Sequence, residues 1–205
     1  MKRAAAAVLV AAVAGLCPAP AHPAPADQLG RSDLAEAVAL GLSRDEARRA
    51  AFHAQYVQRL GGPLVESLEV VTEFRRAVLL AEERARQGEA AWAVERAAAA
   101  LDEYRGRLDL VLHLRFDPLN AYRAMPRVNV VIYRREDTVP AVQVTGLVAT
   151  PENFTGPVPP GTPILAATVT VPLMPDLGLP PAFLVGLFLD GREARRIPVD
   201  LTGLR

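Results

Sequence analysis

The 205-residue chain is 51% hydrophobic, balances 23 basic against 23 acidic side chains, and holds one cysteine and one lysine. A neutral balance lacks the electrostatic footprint of a nucleic-acid-binding domain and gives no drive toward anionic lipid. Because Lys2 is the sole lysine, every other permanent cation is an arginine, which excludes Schiff-base chemistry and tunable amine bases from the rest of the chain.

The chain opens with Lys2 and Arg3, followed by the uninterrupted apolar run Ala4 to Leu16. That run is too short for a bilayer span, which needs about 20 residues, but it suits the apolar region of a secretory signal peptide. Small-x-small cleavage sequences occur at Ala19-Pro20-Ala21 and Ala24-Pro25-Ala26. The second is preferred, because a cut after Ala21 would leave Pro23 just beyond it. Residues 1–26 are therefore expected to be removed and the remainder to be extracytoplasmic, periplasmic or secreted. The alternative is a lipoprotein held through Cys17, although bulky Leu16 stands where lipoprotein signals carry a small residue. Cleavage after Ala26 leaves about 179 residues with no cysteine, hence no disulfide. A chain of that size buries close to 70% of its unfolded surface without one.

From 27 to 106 the pattern is mainly helical. Ser32 is placed to cap a first helix with Leu34, Ala37 and Val38 on one face, and Gly41 to close it. Ser43 and Glu46 form a capping box for a second helix carrying the stripe Phe52, Tyr56 and Leu60, ended by Gly61-Gly62-Pro63. A strand over Ser67 to Glu73 precedes a helix from Phe74 to Gln87, closed by Gly88, and an alanine-rich helix bears Val94, Ala97, Leu101 and Tyr104.

After Gly106 the period changes from 3.6 to 2. Leu110, Leu112, Leu114 and Phe116 alternate with Asp109, Val111, His113 and Arg115, the pattern of a half-buried strand. Further strands are expected at Val128 to Tyr133, Ala141 to Ala149, Ile164 to Val171, Phe183 to Leu189 and Arg195 to Leu201. Pro198 confines the last to a sheet edge, and Asp190-Gly191 reads as a type I′ hairpin turn. The fold class is thus α+β: an N-terminal helical region followed, over 107–205, by a six- to seven-stranded antiparallel β-sandwich of immunoglobulin-like kind.

Residues with chemistry are sparse. His22, His53 and His113 have no ligand spacing, so neither a metal nor another cofactor is expected. There is no Gly-x-Ser-x-Gly elbow and no phosphate loop. Alternation alone makes His113 part of a solvated polar face. The run Arg75, Arg76, Glu82, Glu83, Arg84 and Arg86 reads as an exposed helix face with a Glu82–Arg86 pair, or as an ion-pair network against the β region.

One constellation suggests binding. If successive strands are antiparallel, the connections 117–126 and 150–163 leave the same end of the sandwich and present Asn120, Tyr122, Arg123, Asn153 and Phe154. Aromatic and arginine side chains on loops held by a rigid scaffold are what contact surfaces use. The expectation is a non-enzymatic binding or scaffolding protein whose partner is an envelope protein or a surface polymer. The alternatives are a carboxylate-dependent envelope hydrolase, which would show a buried carboxylate pair in a concave pocket, and a helical docking adaptor, which would expose the Phe52, Tyr56 and Leu60 stripe.

Overall fold

A computed structural model describes residues 29–89, 91–117, 119, 124–134, 142–152, 156–174 and 177–205. The expected signal peptide lies outside the described residues. The described residues form four α-helices and two antiparallel sheets packed as a sandwich, an α+β architecture.

Helix α1 (Arg31–Gly41) buries Leu34, Ala37 and Val38 as the spacing predicts, together with Leu40 and Gly41. It begins one residue before Ser32, which lies inside the first turn, and no side chain caps it. Gly41 does not adopt a left-handed cap. A Cβ there would stand 2.4 Å from the Val78 carbonyl oxygen and 2.6 Å from the Ala81 Cβ, so the glycine permits close contact with a later helix.

Helix α2 (Glu46–Ala54) is capped by Asp45, whose carboxylate accepts from the Arg48 N–H at 2.9 Å. The capping-box reading of Ser43 therefore fails: the hydroxyl accepts from the Asp45 N–H at 3.1 Å and belongs to the turn before the helix. The helix also stops at Ala54. Val57–Arg59 is strand β1, paired with β2 (Leu64–Val71), so Phe52, Tyr56 and Leu60 are not a helical stripe. Tyr56 is buried, and Phe52 and Leu60 pack against the sandwich core, which tertiary burial favours over continuing the helix.

Thr72 caps helix α3 (Glu73–Arg86), accepting from the Arg75 N–H, and Gly88 follows it at φ +87°. Helix α4 (Val94–Leu101) runs into a short 3₁₀ turn at Asp102–Tyr104. The remaining strands are β3 (Leu108–Arg115), β4 (Val128–Tyr133), β5 (Val142–Gln143), β6 (Val148–Pro151), β7 (Ala166–Leu173), β8 (Ala182–Leu189) and β9 (Arg192–Asp200).

One sheet has the order β1-β2-β3-β7-β6 and the other β5-β4-β8-β9. The stretch expected as a single strand at 141–149 is two: β5 pairs with β4 in one sheet, and β6 pairs with β7 in the other. Because β2 pairs with β3, the sandwich crosses the division drawn at residue 106. Strand β9 is an edge, consistent with Pro198, and Asp190 (φ 50°) and Gly191 (φ 81°) make the tight β8–β9 turn.

Two apolar clusters result. The larger fills the sandwich with the inward set Leu110, Leu112, Leu114, Val169, Val171, Val185, Leu187 and Ile197. The smaller is helical, built from Leu34, Val38, Phe74, Ala77, Val78, Trp92 and Leu101. Phe52 packs against both. The helical lobe sits where β2 runs into α3, at one end of the sandwich.

The joint between the lobes is polar as well as apolar. Arg75, buried, donates to the Glu69 carboxylate and the Val70 carbonyl oxygen, both at 2.7 Å. Arg76 pairs with buried Asp109, which also accepts from Arg107 Nε at 2.6 Å, and the Arg76 guanidinium lies 4.2 Å from the Tyr104 ring centre. The solvated-face reading is thus wrong for these two arginines, which reach the strands. Glu82 likewise does not pair with Arg86. It meets His53 at 2.9 Å and Arg49 at 3.5 Å, while Arg86 takes Glu83 one turn back. Arg205 completes the joint, donating to Glu36 and Asp33 of α1 and lying over the Phe74 ring, while its carbonyl oxygen accepts from the Thr72 and Tyr56 hydroxyls. Burial pushes the Tyr56 phenol above its ordinary pKa.

Candidate functional site: the sandwich end opposite the helices

Strand registers define the two ends of the sandwich. Val71 pairs with Asp109 at the end occupied by the helical lobe, and Leu64 pairs with Arg115 at the other. At that second end Arg115 also pairs with Ala166, Pro151 with Ala167, Val128 with Leu189, and Leu189 with Arg192. Besides the β1–β2 hairpin turn at 60–63, three connections leave from the same end: 116–127 between β3 and β4, 152–165 between β6 and β7, and the 190–191 turn between β8 and β9.

The bases of these connections are pinned by hydrogen bonds. The Phe116 N–H donates to the Leu165 carbonyl oxygen at 2.8 Å, which holds the first connection to the second. Arg127 and Asp190 exchange two bonds at 2.9 Å, one through the aspartate side chain, holding the first to the third. Ile164 is buried, and Met125 and Val158 pack against the core. Among the described residues, two large apolar side chains at this end face water instead, Leu119 (92% exposed) and Leu165 (49%). Outward-facing leucines on hydrogen-bonded connections are the kind of feature a contact surface uses.

All five residues singled out in the sequence, Asn120, Tyr122, Arg123, Asn153 and Phe154, lie outside the described residues. Their described neighbours Leu119, Ala124, Glu152 and Gly156 belong to the first two of these connections.

Just below this end, on the outer face of the five-stranded sheet, lies a polar chain that sequence reading missed. His113 Nε2 stands 3.0 Å from a Glu69 carboxylate oxygen and Nδ1 stands 3.3 Å from Glu152. Thr168 donates to the same Glu152 oxygen at 3.0 Å, and Glu69 is held from its other side by Arg75. Period-2 alternation correctly turns His113 outward. Nothing local reveals its partners, which lie 44 and 39 residues away in sequence. The two carboxylates meet opposite ring nitrogens and so cannot converge on one ion. No group of three or more metal-capable side chains occurs among the described residues.

The outer face of the four-stranded sheet differs in character. Val131, Leu184 and Phe188 are half-buried there, and the Tyr133 ring lies across Gly186, where an added Cβ would approach Tyr133 Cε2 to 2.6 Å. The Arg196 guanidinium covers that ring at 4.3 Å and is itself bonded twice to Glu193. An aromatic ring laid over a sheet glycine restores the packing the glycine lacks.

Between the lobes, a cleft lined by Phe74, Arg107, Leu108, Leu201, Leu204 and Arg205 encloses about 90 Å³. Small-molecule pockets ordinarily start at about 300 Å³, so this cleft is a packing seam with room for a few waters. No helix among the described residues is long and apolar enough to cross a membrane.

The fold and site thus define a two-sheet sandwich with a helical lobe at one end and pinned connections at the other. No protein-family model, characterised protein or solved structure matches the chain.

Proposed function

We propose that the chain is a non-enzymatic, extracytoplasmic binding protein with an immunoglobulin-like sandwich. In this reading, residues 1–26 are its secretory signal, and it engages an envelope protein or surface polymer through the connections opposite the helical lobe. The convergence of three connections at that free end carries the reading. Asn120, Tyr122, Arg123, Asn153 and Phe154 belong to two of them and supply the aromatic, arginine and amide groups from which contact surfaces are made.

Strand order supports the immunoglobulin-like assignment. In chain order after β1, the strands β2-β3-β7-β6 correspond to A-B-E-D of that fold and β5-β4-β8-β9 to C′-C-F-G. The three connections then correspond to B–C, D–E and F–G, two of which are recognition loops in variable domains. This correspondence is one of fold, and function rests on the loops themselves. The cysteines of antibody domains are missing, and aliphatic packing between β3 and β8 fills the centre instead.

The test is retention of envelope components by the immobilised protein, comparing wild type with Tyr122→Ala and Phe154→Ala. Variants that keep the wild-type circular dichroism and melting temperature while losing a retained component support the reading. Folded variants with undiminished retention overturn it.

A further inference from the structure

We propose that His113 is a protonation-dependent tie that fastens the base of the 152–165 connection to the five-stranded sheet. This inference goes beyond the binding reading and holds whether or not the loop tips contact a partner.

The tie spans three elements. His113 is on β3, Glu69 on the neighbouring strand β2, and Glu152 is the residue that follows β6. Both ring nitrogens face carboxylate oxygens, at 3.0 Å and 3.3 Å. A neutral imidazole carries a single N–H and can donate to one carboxylate only, whereas the imidazolium donates to both. The two-sided arrangement is therefore complete only in the protonated ring. In the neutral ring, one nitrogen lone pair faces a carboxylate and that link opens.

The surroundings decide which link opens. Glu69 is clamped by the buried Arg75 guanidinium at 2.7 Å, so its carboxylate is fixed in place and its contact to Nε2 is the shorter. Among the described residues Glu152 is held otherwise only by the Thr168 hydroxyl; it is more exposed than Glu69 and makes the longer contact. The other described charged groups on this face are occupied elsewhere: Arg115 pairs with Glu66, and Asp109 with Arg76 and Arg107. Ser67, paired with His113 in the β2–β3 register, carries no charge. Deprotonation accordingly leaves the Glu152 carboxylate with the Thr168 hydroxyl, while Glu69 stays on the ring. The Glu152 N–H, which donates to the Ala166 carbonyl oxygen at 3.0 Å, then loses the side-chain anchor beside it.

Amide hydrogen exchange on the full chain tests this. Raising the pH until the ring is neutral should lower protection of the Glu152 amide about threefold after correction for intrinsic exchange, the effect of losing one part-exposed ion pair. The Leu112 amide, in the middle of the β3–β7 ladder, serves as control and should not change. In His113→Gln the pH response should vanish, because a carboxamide does not titrate. If that variant fails to fold, Glu152→Gln provides the same comparison at the amide of residue 152, because the carboxamide removes the carboxylate that His113 binds. Constant protection in wild type, or an equal pH response in wild type and variant, overturns the tie.

Discussion

Asp109 offers the sharpest test of how the two lobes are joined. Its side chain is 4% exposed and pairs with two arginines, Arg76 at 15% exposure and Arg107 at 28%. Asp109→Asn keeps the shape and removes the charge, so no cavity term enters. Arg107 can turn to solvent, but Arg76 cannot readily do so: among the described residues its buried Nε has no hydrogen-bond partner, and its remaining favourable contact is the Tyr104 ring. Removing one member of a buried pair costs about 3–5 kcal/mol, and the ring contact places this case at the low end, about 3 kcal/mol. With a urea m-value of about 2 kcal/mol/M, the midpoint should move down by about 1.5 M with unchanged slope. Adding Arg76→Met to Asp109→Asn should recover part of the loss, since the stranded charge is then gone. A midpoint within about 0.25 M of wild type would refute the reasoning, because that is the range of an ordinary surface substitution.

Other expectations follow from single positions. Gly41→Ala gains helix propensity of about 1 kcal/mol but drives a methyl into the Val78 carbonyl oxygen and Ala81; overpacking costs about 1–3 kcal/mol, so the melting temperature should fall, and a rise would contradict the close α1–α3 approach. Gly191→Ala meets no atom within 4 Å, so its cost is purely that of a left-handed residue, about 1 kcal/mol, read as a drop of about 2–4 °C in melting temperature. The hydrogen bond from Arg205 holds the Glu36 carboxyl below its ordinary pKa, that from Arg196 does the same for Glu193, and those from Thr202 for Asp200. Carboxyls depressed in the folded state stabilise it above their unfolded values and lose that contribution as pH falls through the folded ones. Melting temperature should therefore hold down to about pH 5 and decline below about pH 4. Arg205→Ala should flatten that acid decline, and an unchanged acid slope would show that the Arg205–Glu36 contact is not populated in solution.

Much of the architecture was legible where the signal is local. Strands β3 and β7 announce themselves by alternation, because a strand with one face on a core must place apolar residues at every second position, whereas β4 and β8 read as short apolar runs bounded by turns. Asp190-Gly191 fixes its turn through the positive φ it tolerates, and Pro198 confines β9 to an edge because it lacks an N–H for a further ladder. The convergence of the 116–127 and 152–165 connections at one end also follows from antiparallel alternation, whereas the candidate residues on them lie outside the described residues. The helix stripe misled: Phe52, Tyr56 and Leu60 have helical spacing, yet the last two leave the helix to pack against the sandwich.

What sequence by itself determined is each element whose reason lies within a few residues: period, turn and edge. What only tertiary structure decided is every feature whose reason lies across the fold. Gly41 serves a neighbouring helix, residues 142–151 divide between two sheets, Asp109 gathers Arg76 and Arg107, and His113 meets Glu69 and Glu152 from separate elements. Each depends on which distant surfaces come into contact. That is a balance of burial and charge compensation over the whole chain, and no local pattern encodes it.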